Sequence, residues 1–102
     1  MNSTAVVASL RSQYPGKTII KNNELHPTEI ICEIEPTVDH PAYSVAIAVI
    51  DQSLPHIHHR SEEQYEVLSG TLTLNIDGND SILHKKDTLV IHPGEVHYAK
   101  GN

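Results

Sequence analysis

Phenylalanine and tryptophan are absent from the 102 residues, and cysteine and methionine occur once each. A core without those aromatics must be built from Val, Ile and Leu, which favours strands. A single cysteine, Cys32, excludes an intramolecular disulfide framework and a multi-cysteine zinc site. Basic residues are also scarce: 7 Lys and Arg stand against 13 Asp and Glu, for a net charge of −6 with histidines neutral. The chain therefore has no basic patch with which to displace counterions from a phosphate backbone, which argues against a nucleic-acid partner. The same lack argues against a surface held to anionic lipid. No apolar run approaches the roughly 20 residues of a membrane span. Residues Met1 to Ser12 lack the order of a secretory signal, because the apolar run Ala5–Leu10 is short and Arg11 follows it rather than precedes it. The expectation is a soluble protein in the reducing cytoplasm.

With 38% apolar and 20% charged residues, the composition is globular, and the length suits one domain. Repeats, low-complexity tracts and linkers are missing. Asn2 to Gln13 can form one short helix, capped by Ser3 or Thr4, with Val6, Val7 and Leu10 on a shared face and Tyr14-Pro15-Gly16 as its stop. The alternative is a loose arm over residues 1–16, followed by a β-domain over residues 17–102. Strands are expected at Thr18–Lys21, Glu29–Glu35, Tyr43–Ile50 (bounded by Pro41), Tyr65–Leu68, Thr71–Ile76, Ser81–His84, Asp87–Ile91 and Val96–Ala99. Thr71–Ile76 alternates, with Leu72, Leu74 and Ile76 on one face, and Asp77-Gly78 is a two-residue hairpin signal. Many short strands without helices between them point to an all-β sandwich or barrel rather than to parallel βαβ units.

What is abundant is histidine, with 8 residues. On a strand, His56 and His58 point to one face, about 6.6 Å apart along the chain, close enough for two imidazoles to lean onto one metal ion. If the turn after them reverses the chain, Glu63 returns beside them; Glu62 takes its place if the turn is one residue tighter. The pair carries little weight alone, because composition gives a His-x-His about 0.6 times in a chain like this.

The extended pattern carries more. His-x-His, four residues, Glu63, six residues and Gly70 resembles the first motif of the cupin family, and Lys86 to His97, after 15 intervening residues, resembles the second, with Gly94 and His97 at its glycine and histidine. The resemblance covers about Ile50 to Asn102. It implies a double-stranded β-helix, a jelly-roll-like cupin barrel of the small cupin 2 type. It also implies a divalent metal held by His56, His58, Glu63 and His97. Imidazole and carboxylate suit Fe, Mn, Ni, Zn, Co or Cu, and four protein ligands leave one or two positions open on a six-coordinate ion. The sequence departs from the motifs at Ile50 and Lys86, where glycines are expected, so the turn before Asp87 should be built differently. His92 replaces a proline, and Gly101 stands where an asparagine is expected, with Asn102 one residue later. The family's cup normally continues past the second motif. Either this is a shortened form, or the cup is closed by Thr18–Glu35 or by a partner subunit, since small members often exchange edge strands as homodimers.

The remaining residues have plainer readings. His59 should point away from the pair. His84 and His92 suit the surface or rim, Tyr65 and Tyr98 the core or rim, and Cys32 the interior. Glu29, Glu33 and Glu35 suit a solvated strand face. Similar small cupins include dioxygenases and sugar isomerases or epimerases acting on a small organic substrate. A non-catalytic module that binds a ligand or metal is the alternative, and the metal-free scaffold a third. Ile47, Val49, Leu72 and Leu74 would shape the pocket if they face it.

Overall fold

The computed structural model describes residues 1–39 and 42–101. His40, Pro41 and Asn102 lie outside them, and with them the proline expected to bound the third strand and the asparagine one residue past the second motif's expected position. The chain divides into two compact units, Met1–Ile50 and Asp51–Asn102. Among the described residues, no helix is long and apolar enough to cross a membrane.

The first unit packs one helix on one sheet. Helix α1 spans Ser3–Gln13. Its cap is Asn2, one residue before the expected Ser3 or Thr4; the Oδ1 atom accepts from the Ala5 N–H at 3.1 Å. Asparagine serves this position as well as serine does, by satisfying one of the N–H groups left without a carbonyl in the first turn. Tyr14 ends the helix by donating its N–H to the Leu10 carbonyl, and Gly16 takes the left-handed backbone that turns the chain away (φ +78°).

Strands β1 (Ile19–Lys21), β2 (Glu29–Glu35) and β3 (Val45–Ile50) form an antiparallel sheet in that order. Alternation along β2 buries Ile30 and Cys32 completely. They pack with Leu10, flanked by Val6, Val7, Tyr14, Ile19, Ile34, Ile47 and Val49. Ile47 and Val49 thus belong to the core shared by helix and sheet. That core explains why the N-terminal segment is helical: Val6, Val7, Leu10 and Tyr14 recur at the helical spacing that presents one face to the sheet.

The second unit is built from six strands. Strands β4 (His56–Ile57), β9 (Val96–Gly101), β6 (Leu72–Ile76) and β7 (Asn79–Leu83) form a four-stranded sheet in the order β4-β9-β6-β7. Strands β5 (Glu63–Glu66) and β8 (Thr88–Ile91) pair separately. All pairings are antiparallel. The β6–β7 hairpin turns at Asp77-Gly78, both with positive φ (49° and 89°), as a two-residue loop matched to strand twist requires. Asp77 also ties the hairpin to β9: its N–H donates to the Val96 carbonyl and its Oδ1 accepts from the Val96 N–H at 3.0 Å. Leu74, Ala99 and Ile91 are fully buried, with Val67 and Leu83 nearly so.

Antiparallel strands with one short N-terminal helix give the all-β architecture expected of a jelly roll. Boundaries moved by one or two residues where pairing overrides local pattern. β5 begins at Glu63 rather than Tyr65 because Glu63 stands opposite Ile91. The turn before Asp87 differs from expectation in a specific way. Lys86 adopts the left-handed conformation that a glycine would take (φ +76°), and the turn closes through the Asp87 N–H to the His84 carbonyl and the His84 N–H to Asp87 Oδ2.

Candidate metal centre

His56 and His97 stand directly opposite each other in the β4–β9 ladder. On an antiparallel pair, opposite residues share a face, and the two rings meet with centroids 4.1 Å apart. His58 does not lie on the strand as expected, because β4 ends at Ile57. It enters the cluster from the first residue of the following loop, which is held by the Gly94 N–H donating to the His58 carbonyl at 2.8 Å. The same bond seats the His92–Glu95 turn that leads into β9. That turn is closed by the His92 N–H donating to Glu95 Oε1 and by Gly94 with φ +87°. Glu63 arrives on β5, with its Oε2 2.9 Å from His58 Nε2 and 4.0 Å from His97 Nε2.

The structure therefore brings His56, His58, Glu63 and His97 together, each offering one ligand atom within 4.8 Å of the others. Around one ion with bonds of about 2.1 Å, neighbouring ligand atoms stand about 3.0 Å apart and opposite ones about 4.2 Å. The 2.9 and 4.0 Å spacings of Glu63 Oε2 from His58 Nε2 and His97 Nε2 lie in that range. Glu62 is turned elsewhere, with its Oε1 3.3 Å from His92 Nδ1 at the exposed surface. His59, His84 and His92 are exposed, and Tyr65 and Tyr98 half-buried.

Two hydrogen bonds fix which ring nitrogen is free. His56 Nδ1 lies 2.9 Å from the Leu54 carbonyl oxygen, and His97 Nδ1 3.1 Å from the Glu95 carbonyl oxygen. A carbonyl only accepts, so both Nδ1 atoms carry the proton when the rings are neutral, and both Nε2 atoms present a lone pair. Such a partner on the remote nitrogen is the usual support of a metal-bound imidazole.

The test of fit is the state of the Nε2 atoms. Among the described residues, two buried side-chain nitrogens lack a hydrogen bond: Nε2 of His58 and Nε2 of His97. His97 is fully buried. Glu63 Oε2 stands 2.9 Å from His58 Nε2 without making a hydrogen bond to it. A buried polar atom without a partner carries a desolvation cost of about 1–3 kcal/mol. Here two of them converge with a carboxylate, and one cation would satisfy all of them. The donor set, three imidazoles and a carboxylate, fits a borderline divalent ion.

Sequence reasoning missed the carbonyls of Leu54 and Glu95, because main-chain acceptors leave no mark in residue identity. Pro55 was the one available signal, since a residue without an N–H interrupts a ladder.

Residues 44–102, more than half the chain, match the profile of the cupin domain. No curated protein matches significantly. Among solved structures, a cupin-2 domain containing protein from Shewanella frigidimarina superposes with a TM-score of 0.50 at 16% identity, over 98% of this chain and 81% of that one. A protein from Photorhabdus luminescens gives a TM-score of 0.48 at 18% identity, over 84% of this chain and 62% of that one. The Shewanella likeness bears on the fold.

Proposed function

The chain belongs to the cupin family, and we propose that His56, His58, Glu63 and His97 hold one divalent metal ion at which a small organic molecule binds. The observation that carries this is the pair of buried Nε2 atoms at His58 and His97, neither of which makes a hydrogen bond, beside a carboxylate within 4.0 Å of both. Four protein ligands leave one or two positions on a six-coordinate ion for a ligand oxygen. When bound, the ion supplies a Lewis acid that polarises such an oxygen. The protein's own part is to present two Nε2 lone pairs, oriented through Leu54 and Glu95, and one carboxylate.

On this reading the protein is a metal-dependent enzyme of the dioxygenase or isomerase and epimerase kind. The fold hosts several chemistries and does not choose between these two. The deciding experiment is metal content of protein purified without a histidine tag or chelator, by elemental mass spectrometry, followed by titration with Mn(II), Fe(II), Co(II), Ni(II) and Zn(II). About one equivalent per chain, lost in His97→Ala, is the expected result. No binding of any of the five ions overturns the proposal.

A further inference from the structure

Ser53 is, with His97, one of two buried polar side chains among the described residues. Its N–H donates to the Ala99 carbonyl at 2.9 Å, and its Oγ accepts from the Ala99 N–H at 2.9 Å. In a regular antiparallel pair the second bond would go to the main-chain carbonyl of residue 53. The hydroxyl has taken that carbonyl's place.

The register shows what this accomplishes. Upstream, Gln52 pairs with Lys100, and the Gly101 N–H donates to the Asp51 carbonyl. Downstream, His56 pairs with His97 and Ile57 with Val96. Three steps from Ser53 to His56 therefore oppose two steps from Ala99 to His97, so one extra residue is inserted at Leu54-Pro55. This is a β-bulge, a device that re-aims a side chain. Without it, Pro55 would stand opposite His97, and His56 opposite Val96 on the other face of the sheet. Pro55 cannot donate to the ladder, and the Leu54 carbonyl turns to accept from His56 Nδ1.

We infer that Ser53 is a positioning residue: it closes the bulge on β9 so that the Leu54 carbonyl holds His56 as the Nδ1–H tautomer, with Nε2 facing His58, Glu63 and His97. The relevance of Ser53 to metal binding rests on the proposed metal site, whereas its control of the His56 ring does not.

The test uses the full chain as wild type, Ser53→Ala, and Ser53→Thr, which keeps the hydroxyl. Nitrogen-15 spectra of the metal-free protein, taken where histidines are neutral, report the tautomer of His56; Co(II) titration reports affinity. The wild type should show the Nδ1–H form. Ser53→Ala should populate the other tautomer and bind Co(II) about 10–100-fold more weakly, the usual effect of losing a group that supports a ligand, with Ser53→Thr restoring both. A wild-type His56 protonated at Nε2 overturns the inference, whatever the variants do. So does a Ser53→Ala protein that is less stable but keeps the tautomer and the affinity. A tautomer that responds to Ser53→Ala in a chain that binds no Co(II) upholds the positioning of His56 and removes the metal reading alone.

Discussion

The imidazoles of His56 and His97 face each other across the β4–β9 ladder at 4.1 Å between centroids, each with Nδ1 bonded to a carbonyl two residues earlier in the chain. With Nδ1 donating in both rings, the two Nε2 atoms are both acceptors, so they cannot hydrogen-bond to each other, whereas one cation between them would satisfy both. Removing either should therefore cost more affinity than disturbing a supporting group. His56→Ala and His97→Ala are each expected to weaken Co(II) binding by more than about 100-fold, the upper end for a supporting residue, as read by calorimetric titration. A loss below tenfold in both would refute the ligand assignment.

Metal binding should also be visible as stability. An ion that binds only the folded chain at 100 times its dissociation constant stabilises it by about 2.7 kcal/mol. Urea unfolding with and without Co(II) should show a gain of this size in the wild type. The gain should vanish in Glu63→Ala and return to zero on adding a chelator.

Lys86 occupies a left-handed turn with φ +76°. A side chain there costs of order 1–2 kcal/mol in backbone strain, which glycine avoids, and glycine's extra freedom in the unfolded chain takes part of that back. Lys86→Gly is expected to stabilise the protein by about 0.5–1 kcal/mol, and Lys86→Val, branched at Cβ, to destabilise it. Equal midpoints in urea for the lysine and glycine forms would contradict this account.

Asp77 combines a positive φ with an Oδ1 that accepts from the Val96 N–H. Alanine loses the acceptor and tolerates the backbone less well. Asp77→Ala should cost about 1–2 kcal/mol. Asp77→Asn, which keeps an oxygen and favours the same backbone region, should cost less than half as much in the same unfolding assay.

Burial separates two neighbouring hydrophobic residues. Leu74 is fully buried, and Ile82 is 62% exposed. Leu74→Ala should cost about 2–5 kcal/mol through lost contacts and the cavity left behind. Ile82→Ala should stay within about 0.5 kcal/mol, as surface substitutions do. A denaturant series on the two variants distinguishes them directly.

Much of this was legible in residue order because it is local. The alternation of Leu72, Leu74 and Ile76 before Asp77-Gly78 contains its own hairpin, since strand period and turn chemistry act over two to four residues. The helix is written in Val6, Val7 and Leu10 in the same way, with Tyr14-Pro15-Gly16 as its stop, and its cap is displaced to Asn2. Local pattern places this strand at Tyr65–Leu68 and the structure at Glu63–Glu66, because the strand character of β5 comes from β8 opposite, which nothing nearby in the chain announces.

The residue types of the candidate site belong to the same local record: His56, His58, Glu63 and His97 stand at the spacing of the two cupin motifs and are donor types that a divalent metal takes. How they meet does not. Which face His56 takes depends on one extra residue at Leu54-Pro55 opposite β9, and which nitrogen it offers depends on the Leu54 carbonyl. Register and main-chain hydrogen bonds are set by pairing between segments more than 40 residues apart, as between Ser53 and Ala99. Every residue carries the same carbonyl, so its role appears only when the strands have docked.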